Sequence, residues 1–145
     1  MKNLCIIKQP AGLGDILFCL KIAVKVLEHK KAEKVIWPVS DVYSYIGEYI
    51  DIAGLEFVNE NDNFEGKEIY LSDKKSVSYN ENIMMINLQR ADEVIKGVGV
   101  MYCKYNMIDL NYDDWKDYID IKRNYKREKK LEDTLDLTEN SSDYY

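Results

Sequence analysis

The residues with the most chemical promise are Gly12-Leu13-Gly14-Asp15, which close the stretch Lys8-Gln9-Pro10-Ala11-Gly12-Leu13-Gly14-Asp15. Two glycines in three residues allow a sharp turn and a close approach of backbone to a ligand. An apolar-rich segment, 16–27, follows. If it is a helix, its first amides favour an anion or a hydrogen-bond acceptor. Asp15 falls at that helix start and has two readings. As a cap, it accepts backbone amides and offsets the dipole. If Gly14 takes the cap position instead, the Asp15 carboxylate is free to face a cleft and serve as a general base.

Other chemistries fail at these positions. A nucleoside-triphosphate loop needs Gly-Lys-Ser/Thr after its last glycine, whereas Gly14 is followed by Asp15-Ile16. A dinucleotide fingerprint needs a third glycine where Leu17 stands and an acid ending the second strand, where Trp37-Pro38 stands. No metal site is expected: His29 is the sole histidine, and Cys5, Cys19 and Cys103 lack ligand spacing. No cofactor is implied.

The elements that must position this loop can be read from apolar runs. Leu4-Cys5-Ile6-Ile7 is continuous, the pattern of a strand buried on both faces of a parallel sheet. A helix is predicted over 15–29. Ile16, Leu20, Ala23, Val24 and Leu27 form its core face, and Lys21, Lys25 and Glu28 an opposite polar stripe. Val35-Ile36-Trp37 is a second strand, stopped by Pro38. Such a βαβ crossover is right-handed in ~98% of cases. A helix over 41–52 follows, capped by Ser40 or Asp41 and ended by Gly54. Strands are expected at 56–58, 69–71 and 83–88, the last placed centrally, with polar loops at 59–66 and 73–82. Helices are expected at 91–95, 98–108, 113–118 and 123–137. The fold class is therefore α/β: a Rossmann-like three-layer sandwich with a mainly parallel sheet. Residues 1–121 make the domain, and 122–145 a charged helix and polar tail, read as an interdomain linker.

Open α/β sheets collect ligands at the carboxyl edge of their strands. Gln9, Ser40, Asp41, Ser72, Asp73, Gln89 and Arg90 all follow predicted strands. The candidate site is therefore Asp15 for catalysis, with Gln9, Gly12, Leu13, Gly14, Ser40, Gln89 and Arg90 for substrate binding.

The formal charge of -6 argues against a nucleic-acid partner, because phosphate neutralisation needs surplus Lys and Arg. No run of 18 apolar residues exists to span a membrane. An odd number of cysteines without a signal-peptide cleavage site suits reduced thiols in the cytoplasm. Asp109, Asp113, Asp114, Asp117 and Asp120 form either a solvated face or a barrier to anionic acceptors. Residues 122–130 hold six basic side chains and one acid, while 131–145 hold five acids and no base.

Ile6-Ile7-Lys8-Gln9-Pro10-Ala11-Gly12-Leu13-Gly14-Asp15-Ile16-Leu17 resembles the opening of GT-B-fold glycosyltransferases, especially the heptosyltransferase-like group. Those chains begin with a strand, a loop ending in Leu-Gly-Asp, and a helix. Val35-Ile36-Trp37-Pro38-Val39 is similar to glycosyltransferase-like proteins with a Gly-Leu-Gly-Asp loop. The resemblance covers residues 1–50 and is diffuse beyond. It implies two Rossmann-like halves, one half of a GT-B fold binding a carbohydrate acceptor and the other a nucleotide-sugar donor. It implies Asp15 as the general base and a transfer that needs no metal. A two-half enzyme is far longer than 145 residues. The expectation is thus an acceptor-side half, inactive without its donor-binding half. The alternative is a non-catalytic Rossmann-like module that binds a sugar or nucleotide or docks onto a partner.

Overall fold

The computed structural model describes residues 2–72, 77–93 and 99–136. Strands β1 (Lys2–Lys8), β2 (Ala32–Val39), β3 (Leu55–Asn59), β4 (Val77–Asn80) and β5 (Ile83–Asn87) form one sheet in the order β3-β2-β1-β5-β4. β1 pairs in parallel with β2 and β5, and β2 with β3, while β4 runs antiparallel to β5. The chain is α/β, with a mainly parallel sheet between helical layers.

The alternation along β1 sorts its side chains. Cys5 and Ile7 share a face with Val35, Trp37, Met84 and Ile86. That face packs on α1 (Leu13–Phe18) and α2 (Leu20–Glu28) through Ile16, Leu20, Ala23 and Val26. Leu4 and Ile6 share the other face with Ile36 and Met85, under Ile69 and Tyr70 of α3 (Lys67–Leu71). Each large apolar side chain so buried contributes ~1.5–3 kcal/mol against solvent exposure. Two buried faces explain the unbroken apolar run of β1.

Several expected elements take another form. The helix over 15–29 is broken at Cys19 into α1 and α2. The cause is a distant side chain: the Tyr105 hydroxyl donates to the Phe18 carbonyl. The Ile22 amide bonds Cys19 O at 2.9 Å instead, so the ladder tightens and bends where the side chain enters it. Lys21 leaves the expected polar stripe and is buried, its ammonium on Asn111 O and Asp114. That pair holds the Asp114 carboxyl below its ordinary range. One member of the aspartate cluster is thereby tied to α2.

The helix over 41–52 is a 3-10 helix, Asp41–Glu48, with Ile46 its one fully buried residue and Tyr43 packed beside it on the core. Ser44 bonds the Asp41 carbonyl at 2.7 Å, a local bond that competes with the backbone ladder. Ser40 occupies the cap position, but its hydroxyl makes no capping bond. Gly54 sits in the turn before β3 and does not end this helix. The strand expected at 69–71 is the helix α3, which starts at Gly66 with φ 82°. The strand is β4 instead, inside the expected loop 73–82, and Glu81-Asn82 turns it into β5. β5 is an inner strand, but the middle position belongs to β1.

Helix α4 (Val100–Asn106) lies within the span expected at 98–108, and a 3-10 helix, Leu88–Glu93, follows β5. Residues 94–98, Asp73 and the end of the helix expected at 123–137 lie outside the described residues. Helix α5 (Tyr125–Thr134) buries none of its residues. It is attached through Lys122 N to Tyr49 O at 2.8 Å and Arg127 Nη1 to the Tyr49 hydroxyl at 3.0 Å.

Candidate functional site

The chain leaves β1 for β2 and β3 on one side of the sheet and returns to β5 on the other. The strand order therefore reverses between β1 and β5, and such a switch point opens a crevice at the carboxyl ends. Lys8 pairs with Asn87 at that edge. The glycine loop leaves β1 here, and Gln89 and Arg90 follow β5 on the Leu88–Glu93 turn. Gln89 is exposed, and its amide bonds Asn87 Oδ1 at 3.1 Å.

Gly12, not Gly14, occupies the cap position of α1, with φ 84° and ψ 93°. Its carbonyl accepts the Ile16 amide at 2.9 Å. Asp15 lies in the first turn of the helix, and no side-chain cap bond is made there. Oδ1 accepts the ammonium of Lys104 from α4 at 3.1 Å. The same ammonium reaches Gln9 Oε1 at 2.8 Å. Lys104 is buried, with 5% of its side chain exposed, whereas 40% of the Asp15 side chain meets solvent. The pair thus anchors one carboxylate oxygen inward and leaves the group open outward.

Gln9 is part of the scaffold. Its Nε2 donates to Ala11 O at 2.7 Å, so with Lys104 on Oε1 both ends of its buried side-chain amide are engaged within the protein, and its backbone carbonyl accepts the Trp37 indole N–H at 3.0 Å. Leu13 and Gly14 form the exposed lip of the loop. Ser40 is joined to the loop through its amide, 2.8 Å from Pro10 O. Its hydroxyl donates to Glu60 Oε1 at 3.2 Å, and the Tyr70 hydroxyl donates to Glu60 Oε2 at 2.8 Å. Lys8 adds its ammonium, 2.8 Å from Tyr70 O and 4.8 Å from the ring centroid.

The structure thus links Gln9 and Asp15 through Lys104, ties Ser40 to the loop at Pro10 O, makes Gly12 the cap of the helix that carries Asp15, and sets Gln89 and Arg90 on the neighbouring strand end. Sequence reasoning does not reach Lys104, Glu60 or Asn87. Lys104 had one signal, a charge among Met101, Cys103 and Tyr105. Cys19 lies under the pair, and burial pushes its thiol up to about 12, with Lys104 pulling down and Asp15 pushing up. It stays protonated at neutral pH and offers no nucleophile. What remains is an oriented carboxylate suited to accept a hydroxyl proton or hydrogen bond.

The loop makes a direct prediction. A Cβ on Gly12 would sit 2.6 Å from Asp15 Oδ2, at a φ that L-residues avoid, while a Cβ on Gly14 meets nothing within 4 Å. Gly12→Ala is expected to cost ~1–2 kcal/mol from backbone strain alone, and to displace the carboxylate. Gly14→Ala is expected to leave stability unchanged or to raise it by up to about 1 kcal/mol, as helix propensity favours alanine. Urea denaturation of the two variants checks the contrast, and equal midpoints would refute it.

No family model, curated protein or solved structure matches the chain. Fold and site together define an α/β protein of Rossmann-like architecture with an ion-paired carboxylate at its switch point. Among the described residues no helix is long and apolar enough to cross a membrane.

Proposed function

We propose that the chain is the acceptor-binding, Rossmann-like half of a GT-B glycosyltransferase of the heptosyltransferase-like type, with Asp15 presented to an acceptor hydroxyl. The observation that supports this reading is the Asp15 carboxylate at the end of the middle parallel strand. Its Oδ1 is held by buried Lys104, and its other side is open to solvent. In the transfer, Asp15 takes the acceptor proton as the hydroxyl oxygen attacks the anomeric carbon of the donor sugar, whose bond to the diphosphate oxygen breaks so that the nucleotide leaves with the electron pair. The donor nucleotide sugar is held by a second half, and the chain alone is inactive. Gly12, Leu13, Gly14 and Ser40 line the acceptor side, and Gln89 and Arg90 reach it from β5. The reading places the protein in the cytoplasm, where its buried thiols stay reduced.

One observation favours the non-catalytic alternative. The ammonium of Lys104 neutralises the carboxylate, which suits a hydrogen-bond acceptor for a sugar hydroxyl better than a strong base.

Saturation-transfer NMR against a panel of neutral saccharides tests the proposal. Saccharide binding is expected in the millimolar range, about −4 kcal/mol, and it is expected to weaken in Asp15→Asn. Incubation with nucleotide sugars and acceptors is expected to release no nucleoside diphosphate. Absence of any saccharide binding would sink the acceptor-domain reading. Turnover by the chain alone would sink the half-enzyme reading.

A further inference from the structure

A cavity of about 160 Å³ lies on the α2 side of the sheet, toward its β4 edge. Its floor is Met84 and Ile86 of β5, and its walls include Val26 of α2 and Met107 and Ile108 after α4. None of its lining residues belongs to the glycine loop. At its mouth stand Lys25, His29 and Lys31. The opening continues past Lys31 and Met84 into a groove flanked by Lys2 and Lys30, with Glu81 the acid among them.

The two halves of this feature differ in chemistry. The inner part of the cavity is lined by aliphatic and thioether groups, with the Tyr79 ring beside them and the cationic side chains where it opens to solvent, and a volume of about 150 Å³ is enough to take up a benzene-sized guest. The mouth is basic in a chain whose formal charge is -6. Lys25 is neutralised by Glu28 at 2.7 Å. Lys2 is engaged with the Glu81 carbonyl. Lys30 and Lys31 are exposed, and among the described residues neither forms an ion pair.

We propose that this groove binds a soluble amphiphilic anion, with a tail of about five or six carbons in the cavity and a carboxylate at Lys30 and Lys31. The tail replaces empty contact surface along Met84, Ile86 and Ile108, and the head meets the unpaired ammonium groups. The site is separate from Asp15, so its occupancy does not depend on the acceptor reading.

Hexanoate is the probe, and the methyl resonances of Met84 and Met107 in the whole chain are the readout. Saturable shifts of both methyls are expected. Hexanol is expected to bind about fivefold more weakly, the loss of one exposed ion pair, and hexylammonium not at all. Lys30→Glu with Lys31→Glu, both surface changes, is expected to weaken hexanoate by more than the hexanol factor. Ile108→Trp fills the cavity and is expected to abolish the shifts. No saturable shift within hexanoate's solubility would overturn the proposal. So would equal binding of hexanol, an unchanged affinity in the double lysine variant, or shifts that occur only with anionic vesicles, which would indicate a lipid surface.

Discussion

Trp37→Ala is expected to cost ~3–5 kcal/mol, the range for deleting a large buried aromatic, a large share of the ~5–15 kcal/mol that holds a domain folded. Trp37 is fully buried in the face that meets α1 and α2, and its ring centroid lies 5.6 Å from that of Phe57. Its indole N–H donates to the Gln9 carbonyl at 3.0 Å, so it also pins the start of the glycine loop. Trp37→Phe separates the two roles. It keeps most of the ring volume but strands the Gln9 carbonyl, at a cost of about 1–3 kcal/mol for an unsatisfied buried acceptor. Urea denaturation measures both variants. In native-state hydrogen exchange the indole N–H of Trp37 is expected to be protected to the global limit, and that of half-buried Trp115 to exchange faster. Comparable exchange at the two would mean that the loop is not pinned.

Strand β1 and the turn after it were legible because each signal there is local. A continuous apolar run gives a two-faced strand and two glycines a turn, whereas Pro38, expected to stop β2, pairs within it and the strand runs on to Val39. α3 was not legible, since three apolar residues at 69–71 do not distinguish a period of two from one of 3.6. The deciding feature is Gly66, whose left-handed backbone opens a helical turn. β4 was hidden by its polarity, although Val77 and Tyr79 alternate against Ile86 and Met84. The break at Cys19 depends on Tyr105, 87 residues from the carbonyl it takes, and nothing near Cys19 announces it. The candidate site divides the same way. The loop and Asp15 stand in one short stretch, whereas Lys104 reaches them across 89 residues. A long-range partner of this kind is fixed by packing, because α4 must lie beside α1 before its lysine can point at Gln9 and Asp15.

That partner makes the site asymmetric, and stability should report it. In Asp15→Leu the Lys104 ammonium stays buried with Gln9 Oε1 as its remaining partner among the described residues. An ammonium left buried without its counter-charge is strongly destabilising, and an expected cost of ~2–4 kcal/mol allows for the partial exposure of the lost carboxylate. In Lys104→Met the charge left behind is Asp15, which water reaches. The methionine fills much of the lysine stem's space, and the expected cost is ~1 kcal/mol, mainly from Gln9 Oε1 losing its donor. The double variant removes both charges and is expected to be more stable than Asp15→Leu alone, a coupling that a double-mutant cycle by urea denaturation measures directly. A greater cost for Lys104→Met than for Asp15→Leu would show that the pair is not organised around the buried ammonium. Saccharide binding separates the roles further. Lys104→Met keeps the carboxylate but frees its orientation, so binding should weaken with the fold intact, whereas Asp15→Asn keeps an acceptor for Lys104 and removes only the charge. If both variants bind saccharide like the unaltered chain, the pair is a structural tie between α1 and α4, and Asp15 has no role at the switch point.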